Sequence, residues 1–254
     1  MKTVAYFNPK GGVGKSLHTT MFASWLAYSQ GARVLVFDGE NDSRLINDRG
    51  DEEELMKDPK SPLARYLAKD PVGVPFYEIR RLGDRTAGYT KDYVEEVVGN
   101  QIQFIRSNEG EYDYVLYDFP AGVFDYSVSY VMMCSGVIDG IFIPIDTNKA
   151  TWREALNFGN ALRKKGIQPV LFWNNITQAD LSMKGYLEGL AEIFGNFGFE
   201  VMSEKVRYFV KAERDSDSPL FVRSTVCWPQ RYVELNCPYL LDFYRAVKER
   251  LDRE

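Results

Sequence analysis

The segment Pro9-Lys10-Gly11-Gly12-Val13-Gly14-Lys15-Ser16 constrains the fold more than any other stretch of the chain. It lies between a short apolar run at residues 2–8 and a helical pattern at residues 16–30, where Leu17, Met21 and Trp25 recur every four positions, as do Phe22 and Leu26. Glycines let backbone N–H groups turn inward and approach an anion with no Cβ in the way. A helix starting at the end of such a loop aims its positive end at the same anion. Lys15 adds a point charge suited to the β- and γ-phosphates, and the Ser16 hydroxyl can ligate Mg²⁺. The plain alternative is a glycine turn with incidental charges. At average residue usage, however, a chance KGGxGK followed by Ser or Thr occurs in a chain of this length roughly once in ten thousand. The loop therefore reads as a phosphate cradle, with Lys10, Gly11, Gly12, Val13, Gly14, Lys15 and Ser16 as its contacts.

Gly31 closes the helical pattern, and a second apolar run at 34–37 ends at Asp38. Strand, helix and strand within about forty residues make a βαβ unit with parallel strands. The alternation continues with strands at 114–117, 137–145 (interrupted by Asp139 and Gly140) and 169–173, and with helices at 123–133, 151–164 and 181–194. Near-continuous apolar strands separated by helices imply a doubly wound α/β fold, a mostly parallel sheet covered by helices on both faces. Two stretches are less regular. Residues 41–90 carry only a short expected helix at 63–68, and residues 204–238 mix charges with aromatics at no clean period. With 45% hydrophobic and 26% charged residues the chain can build a core. No linker divides it, so 1–254 reads as a single domain.

In a parallel sheet, ligands sit beyond the carboxyl ends of the strands. Asp38 and Glu40 follow the second strand, with Asp42 close behind. Asp118 closes the run Tyr114-Val-Leu-Tyr and is followed by Phe-Pro120-Ala-Gly122. A carboxylate at such a strand end can hold Mg²⁺ directly or through water. Asn174 and Asn175 end another strand, and a side-chain amide can pair with the donor–acceptor edge of adenine. Loop solvation is the plain reading of the acids after the second strand, and a turn cap that of Asn175.

Pro9 stands where the plain GxxxxGK[ST] pattern has its first glycine, and Lys10 is an extra lysine at the loop's start. The segment thereby resembles the deviant Walker A motif of the ParA/MinD family of ATPases. The resemblance covers about residues 1–180, with four motifs in order. It implies ATP and Mg²⁺ as ligands, and a homodimer with ATP at its interface in which Lys10 reaches the partner's phosphates. A cation supplied in trans stabilises charge on the transferring phosphoryl group. Asp38 matches the first acid of the family's Asp-x-Asp motif. Glu40 departs from the second, which orients the attacking water. The run from Asp118 to Gly122 is very close to the switch II sequence of MinD-like proteins, and Asn174 matches the family's adenine-reading asparagine. The resemblance thus assigns catalytic roles to Lys10, Lys15, Asp38, Glu40 and Asp118, and metal binding to Ser16, Asp38 and Asp118.

Two roles compete. A small plasmid-type ParA would act in partition or conjugative transfer of plasmid or other mobile DNA. It would bind nonspecific DNA in its ATP state, and a small DNA-binding adaptor protein would stimulate hydrolysis. At a net charge of −5 the protein is no polycation, so the DNA contact must be local. Its candidates are Lys205, Arg207, Lys211, Arg214, Arg223 and Arg231, with Arg163, Lys164 and Lys165 as a second cluster. A MinD-like ATPase would act at a membrane surface or on a protein assembly. Residues 240–254 carry an apolar stripe of Leu240, Phe243, Tyr244, Val247 and Leu251, but their four basic residues are offset by four acids. A neutral helix suits packing on the sheet better than binding anionic lipid. A short apolar N-terminus and the lack of any 18-residue apolar stretch point to a cytoplasmic protein with no stable membrane insertion. Cys134, Cys227 and Cys237, with no CxxC, suit neither a disulfide framework nor, with the single His18, a zinc site.

Overall fold

The computed structural model describes residues 1–40, 42–69, 77–83, 90–122, 127–208, 224–228, 233–234 and 236–253. In chain order its elements are β1 (Lys2–Tyr6), α1 (Lys15–Ser24), β2 (Val34–Asp38), α2 (Arg44–Lys57), α3 (Pro62–Lys69), β3 (Glu78–Arg81), α4 (Lys91–Ser107), β4 (Tyr114–Asp118), α5 (Val128–Cys134), β5 (Gly140–Ile145), α6 (Lys149–Arg163), β6 (Val170–Ile176), α7 (Gln178–Ser182), α8 (Tyr186–Asn196), β7 (Glu200–Arg207) and α9 (Pro238–Arg253). Seven strands form one sheet in the order β3-β2-β4-β1-β5-β6-β7. Every pairing is parallel. This is the doubly wound α/β architecture of P-loop nucleoside triphosphatases.

The central strands are apolar on both sides because both sides are covered. Val4 and Tyr6 of β1, Val36 of β2, Leu116 of β4 and Phe172 of β6 face a core closed by Met21, Phe22 and Trp25 of the first helical segment and by Leu240, Phe243, Val247 and Leu251 of α9. Their neighbours Ala5, Phe37, Tyr117 and Trp173 face a second core closed by Val94 and Val97 of α4, Phe158 and Leu162 of α6, and Phe194 of α8. Successive residues of a strand point to opposite faces, so a run such as Val34-Leu-Val-Phe feeds both layers.

Several boundaries differ from the sequence reading, each for a local reason. The expected strand at 137–145 begins at Gly140. Asp139 turns back to accept bonds from the Thr3 backbone N–H and hydroxyl, at 2.7 and 2.8 Å, and so anchors the start of β1. The helix expected over 16–30 is α-helical to Ser24 and then widens through Trp25–Ser29, where the Gln30 N–H reaches back five residues to the Trp25 carbonyl at 3.2 Å. The pattern at 181–194 splits into α7 and α8 at Gly185, whose φ of +75° lies in the left-handed region. Of the helix expected over 123–133, residues 123–126 lie outside the described residues. From there α5 starts behind Ser127, whose hydroxyl accepts from the Tyr130 N–H. The short helix expected at 63–68 is α3. Helices α2 and α4 and the edge strands β3 and β7 are additions to the sequence reading.

Candidate functional site

The order of strands reverses around β1, which lies between β4 and β5. The loop leaving β1 therefore opens into the crevice at the carboxyl edge of the sheet. Asn8 fixes its entry: the side-chain amide donates to the Pro144 carbonyl at 2.8 Å, and its oxygen accepts the Lys10 N–H at 2.9 Å. Gly12 and Gly14 carry φ of +73° and +87°. Only glycine adopts these angles without strain. A Cβ on Gly14 would also stand 3.0 Å from the Asn174 amide nitrogen.

Lys15 is 5% exposed, and its ammonium makes one long hydrogen bond, 3.3 Å, to the Lys10 carbonyl. Burial pulls its pKa down, against the nearby charges of Glu40 and Asp118. An ammonium with three donors, mostly dry and barely used, is prepared for an anion. Lys10 points elsewhere: its ammonium donates to the Thr151 hydroxyl of α6 at 2.7 Å. Thr151 is fully buried, and sequence reasoning had no signal for it.

The acids at the ends of β2 and β4 are paired in register, Asp38 opposite Asp118. They have different jobs. Asp38 is buried, and its oxygens accept the N–H groups of Glu40 (3.0 Å), Leu45 (3.0 Å) and Ile46 (3.3 Å). It caps α2 and ties the following loop to β2, so in this geometry it positions the site rather than offering open oxygens to a metal. Asp118 is also buried, and neither of its oxygens has a partner at full hydrogen-bond geometry, though the Ser16 hydroxyl is close enough to favour its charged form. Burial pushes its carboxyl up to about 7. Glu40 and Asp38 push the same way, while Ser16 and Lys15 pull against them. A buried carboxylate left without full hydrogen bonds is costly unless a cation completes it, so these residues fit Mg²⁺. Among the described residues no group of three or more His, Cys, Asp or Glu side chains could hold a metal. That suits an ion that takes one or two protein oxygens, here Asp118 and Ser16, and fills its other positions with phosphate and water.

A cleft of about 410 Å³ runs over the loop, lined among others by Gly14, Lys15, Ser16, Glu40, Asn174 and Asn175. Arg44 and Arg207 also line it; the position of Arg44 depends on how Asp38 turns the chain into α2, and no sequence motif marks it. Asn174 is 3% exposed and donates to the Val13 carbonyl at 2.8 Å, while its oxygen meets His18 at 2.9 Å. Asn175 is half-buried with φ of +57°. Asp42 is exposed.

The basic candidates are dispersed. Lys205 pairs with Glu188 at 2.6 Å, Arg207 lies over the Tyr239 ring, and Arg163 donates to the Phe197 carbonyl and lies over Phe199. Lys164 and Lys165 are exposed. Lys211, Arg214, Arg223 and Arg231 lie outside the described residues. Cys134, Cys227 and Cys237 are thiols rather than disulfides, the last two buried.

A family model described as the CobQ/CobB/MinD/ParA nucleotide binding domain matches residues 4–218. No curated protein sequence matches the chain. Several solved structures share its fold over nearly their whole length. A Cyanothece McdA variant in complex with ATP is 19% identical, covers 99% of this chain and 96% of its own, and superposes with a TM-score of 0.64. The pNOB8 ParA bound to nonspecific DNA is 16% identical, with 100% and 99% covered and a TM-score of 0.60. The MinD cell division protein of Aquifex aeolicus is 18% identical, with 98% and 97% covered and a TM-score of 0.59.

Proposed function

Because the chain belongs to the CobQ/CobB/MinD/ParA family of nucleotide-binding domains, we propose that it is a Mg·ATP-dependent switch ATPase of the ParA type. Two protomers close on ATP, the closed dimer binds DNA without sequence preference, and a small DNA-binding adaptor protein stimulates the slow hydrolysis that reopens it. Its role is partition or conjugative transfer of plasmid or other mobile DNA, in the cytoplasm on the nucleoid.

The observation that carries the reading is the Asp118 carboxylate, short of full hydrogen bonds and buried within electrostatic reach of the equally buried Lys15. Each is poorly satisfied alone, and a magnesium-bound triphosphate satisfies both. The loop N–H groups and the Lys15 ammonium take the phosphate charge. Ser16 and Asp118 would hold the metal, which would supply positive charge against the triphosphate. Glu40, on the wall of the cleft, orients the attacking water. Lys10 exchanges the Thr151 hydroxyl for the partner's nucleotide, which makes dimerisation depend on the triphosphate.

DNA is favoured over a membrane surface by α9. Its apolar stripe, Leu240, Phe243, Tyr244, Val247 and Leu251, is spent in the core. No described helix is long and apolar enough to cross a membrane.

Light scattering with and without ATP, together with gel shifts on arbitrary duplex DNA, tests the proposal. The wild type dimerises with ATP and then shifts DNA. Its affinity falls by about a thousandfold or more between 50 and 200 mM salt if six phosphates are contacted. Lys15→Ala loses ATP binding, and Lys10→Ala binds ATP but stays monomeric. A Lys10→Ala protein that dimerises normally refutes the trans role, and ATP-dependent binding to liposomes without DNA binding refutes the ParA-type role.

A further inference from the structure

His18 is fully buried beneath the phosphate loop, and nothing in the nucleotide chemistry above uses it. Its Nδ1 meets the Tyr244 hydroxyl of α9 at 3.2 Å, and its Nε2 meets the Asn174 oxygen at 2.9 Å. Asn174 in turn donates to the Val13 carbonyl of the loop at 2.8 Å.

The proton directions in this chain follow from one fixed end. The Val13 carbonyl can only accept, so the Asn174 nitrogen faces it and the Asn174 oxygen faces His18. That oxygen can only accept, so Nε2 carries the hydrogen. The imidazole is fully buried and its hydrogen-bond partners, the Tyr244 hydroxyl and the Asn174 oxygen, are both uncharged, so it sits there in its neutral form. Nδ1 is then an acceptor, and the Tyr244 hydroxyl must donate. Every link has one direction.

A free carboxamide can turn over and offer either donor–acceptor order to a purine. On its Watson–Crick edge adenine presents an amino donor beside the N1 acceptor, whereas guanine presents the O6 acceptor beside the N1–H donor. Resting on the reading of Asn174 as the base-edge contact in this cleft, we propose that Tyr244 and His18 form a one-way hydrogen-bond relay that locks the Asn174 amide in a single orientation. They are then positioning residues for purine selectivity. Turning the amide over would set its oxygen against the Val13 carbonyl and its nitrogen against the His18 N–H, two repulsive contacts in a dry site. One N–H and one lone pair of the amide remain for the base.

His18 is the only histidine of the chain, so a single imidazole signal reports on the relay. Nitrogen and carbon NMR of histidine-labelled protein at neutral pH is expected to show the Nε2–H tautomer in the absence of nucleotide. Titrations with ATP and GTP are expected to show a preference for ATP that falls about tenfold in Tyr244→Phe, with a mixed tautomer in that variant. Should Tyr244→Phe not fold, His18→Gln is measured for the same ratio. An Nδ1–H imidazole in a protein that binds ATP overturns the relay alone. So does a variant that loses affinity for both triphosphates equally, which is what a purely structural contact would do. A wild type with the Nε2–H imidazole that binds neither triphosphate overturns the nucleotide reading, and the recognition role with it.

Discussion

Replacing Asp118 by Asn should stabilise the metal-free protein in a pH-dependent way while removing its response to Mg·ATP. In the folded chain burial holds the Asp118 proton up to about 7, whereas an unfolded aspartate releases it near 3.9. Between those values the folded state keeps a proton that the unfolded chain has lost. Stability therefore falls as pH rises, by at most about 1.4 kcal/mol per pH unit, and levels off above 7. Over the whole window the loss from this one group is about 4 kcal/mol. Asparagine has the same shape but no proton to lose. The stability difference between variant and wild type is thus smallest near pH 4 and grows by about 4 kcal/mol towards pH 8. Urea denaturation in a chelator, followed by circular dichroism at half-unit steps of pH, reads it directly. Adding Mg·ATP at a hundred times its Kd should then stabilise the wild type by about 2.7 kcal/mol and leave the variant unchanged. Two parallel pH profiles would refute the reasoning, because they would mean that Asp118 has partners or water that the geometry does not give it.

Gly14→Ala puts a Cβ at a φ of +87° and 3.0 Å from the Asn174 amide nitrogen; thermal unfolding should register a loss of about 1–2 kcal/mol without nucleotide, and ATP titration a loss of binding. Glu40→Ala should leave ATP affinity in place and lower turnover by about 100-fold, measured as phosphate release at saturating ATP. Cys227, whose thiol burial pushes up to about 12, and the fully buried Cys237 should resist an aromatic disulfide reagent in native protein and react once it is unfolded. Half-buried Cys134 should react first.

The five strands at the middle of the sheet were readable because each contains at least three consecutive apolar residues, and burial on both faces explains such a run. The edges were not. β3 is Glu-Ile-Arg-Arg and β7 intersperses Glu and Lys among its apolar residues; charges protect a sheet edge from further pairing and erase the strand signal in doing so. In α2, the strongly charged segment after Asp42, Leu45 is the one fully buried residue, so it shows no apolar stripe. For α4 the signal was present: Thr90 caps it, and Val94, Val97 and Val98 line its buried face. At the site, the loop and Asp118 could be read from order and composition, since both are local. Thr151 and Tyr244 could not, because their partners Lys10 and His18 are 141 and 226 residues away in sequence. Asp38 was legible as a residue but not as a helix cap, which depends on where α2 begins.

The cleft takes its floor from Gly11 and part of its wall from Leu240. A ribosome making about 5–20 residues per second needs roughly 10–50 s to pass from one to the other. For all that time the nascent chain carries an unfinished pocket, and the face of β1 that α9 will cover stays open. Until α9 has docked, the cleft lacks the wall that Leu240 supplies and the Val4 and Tyr6 side chains on that face of β1 stay uncovered.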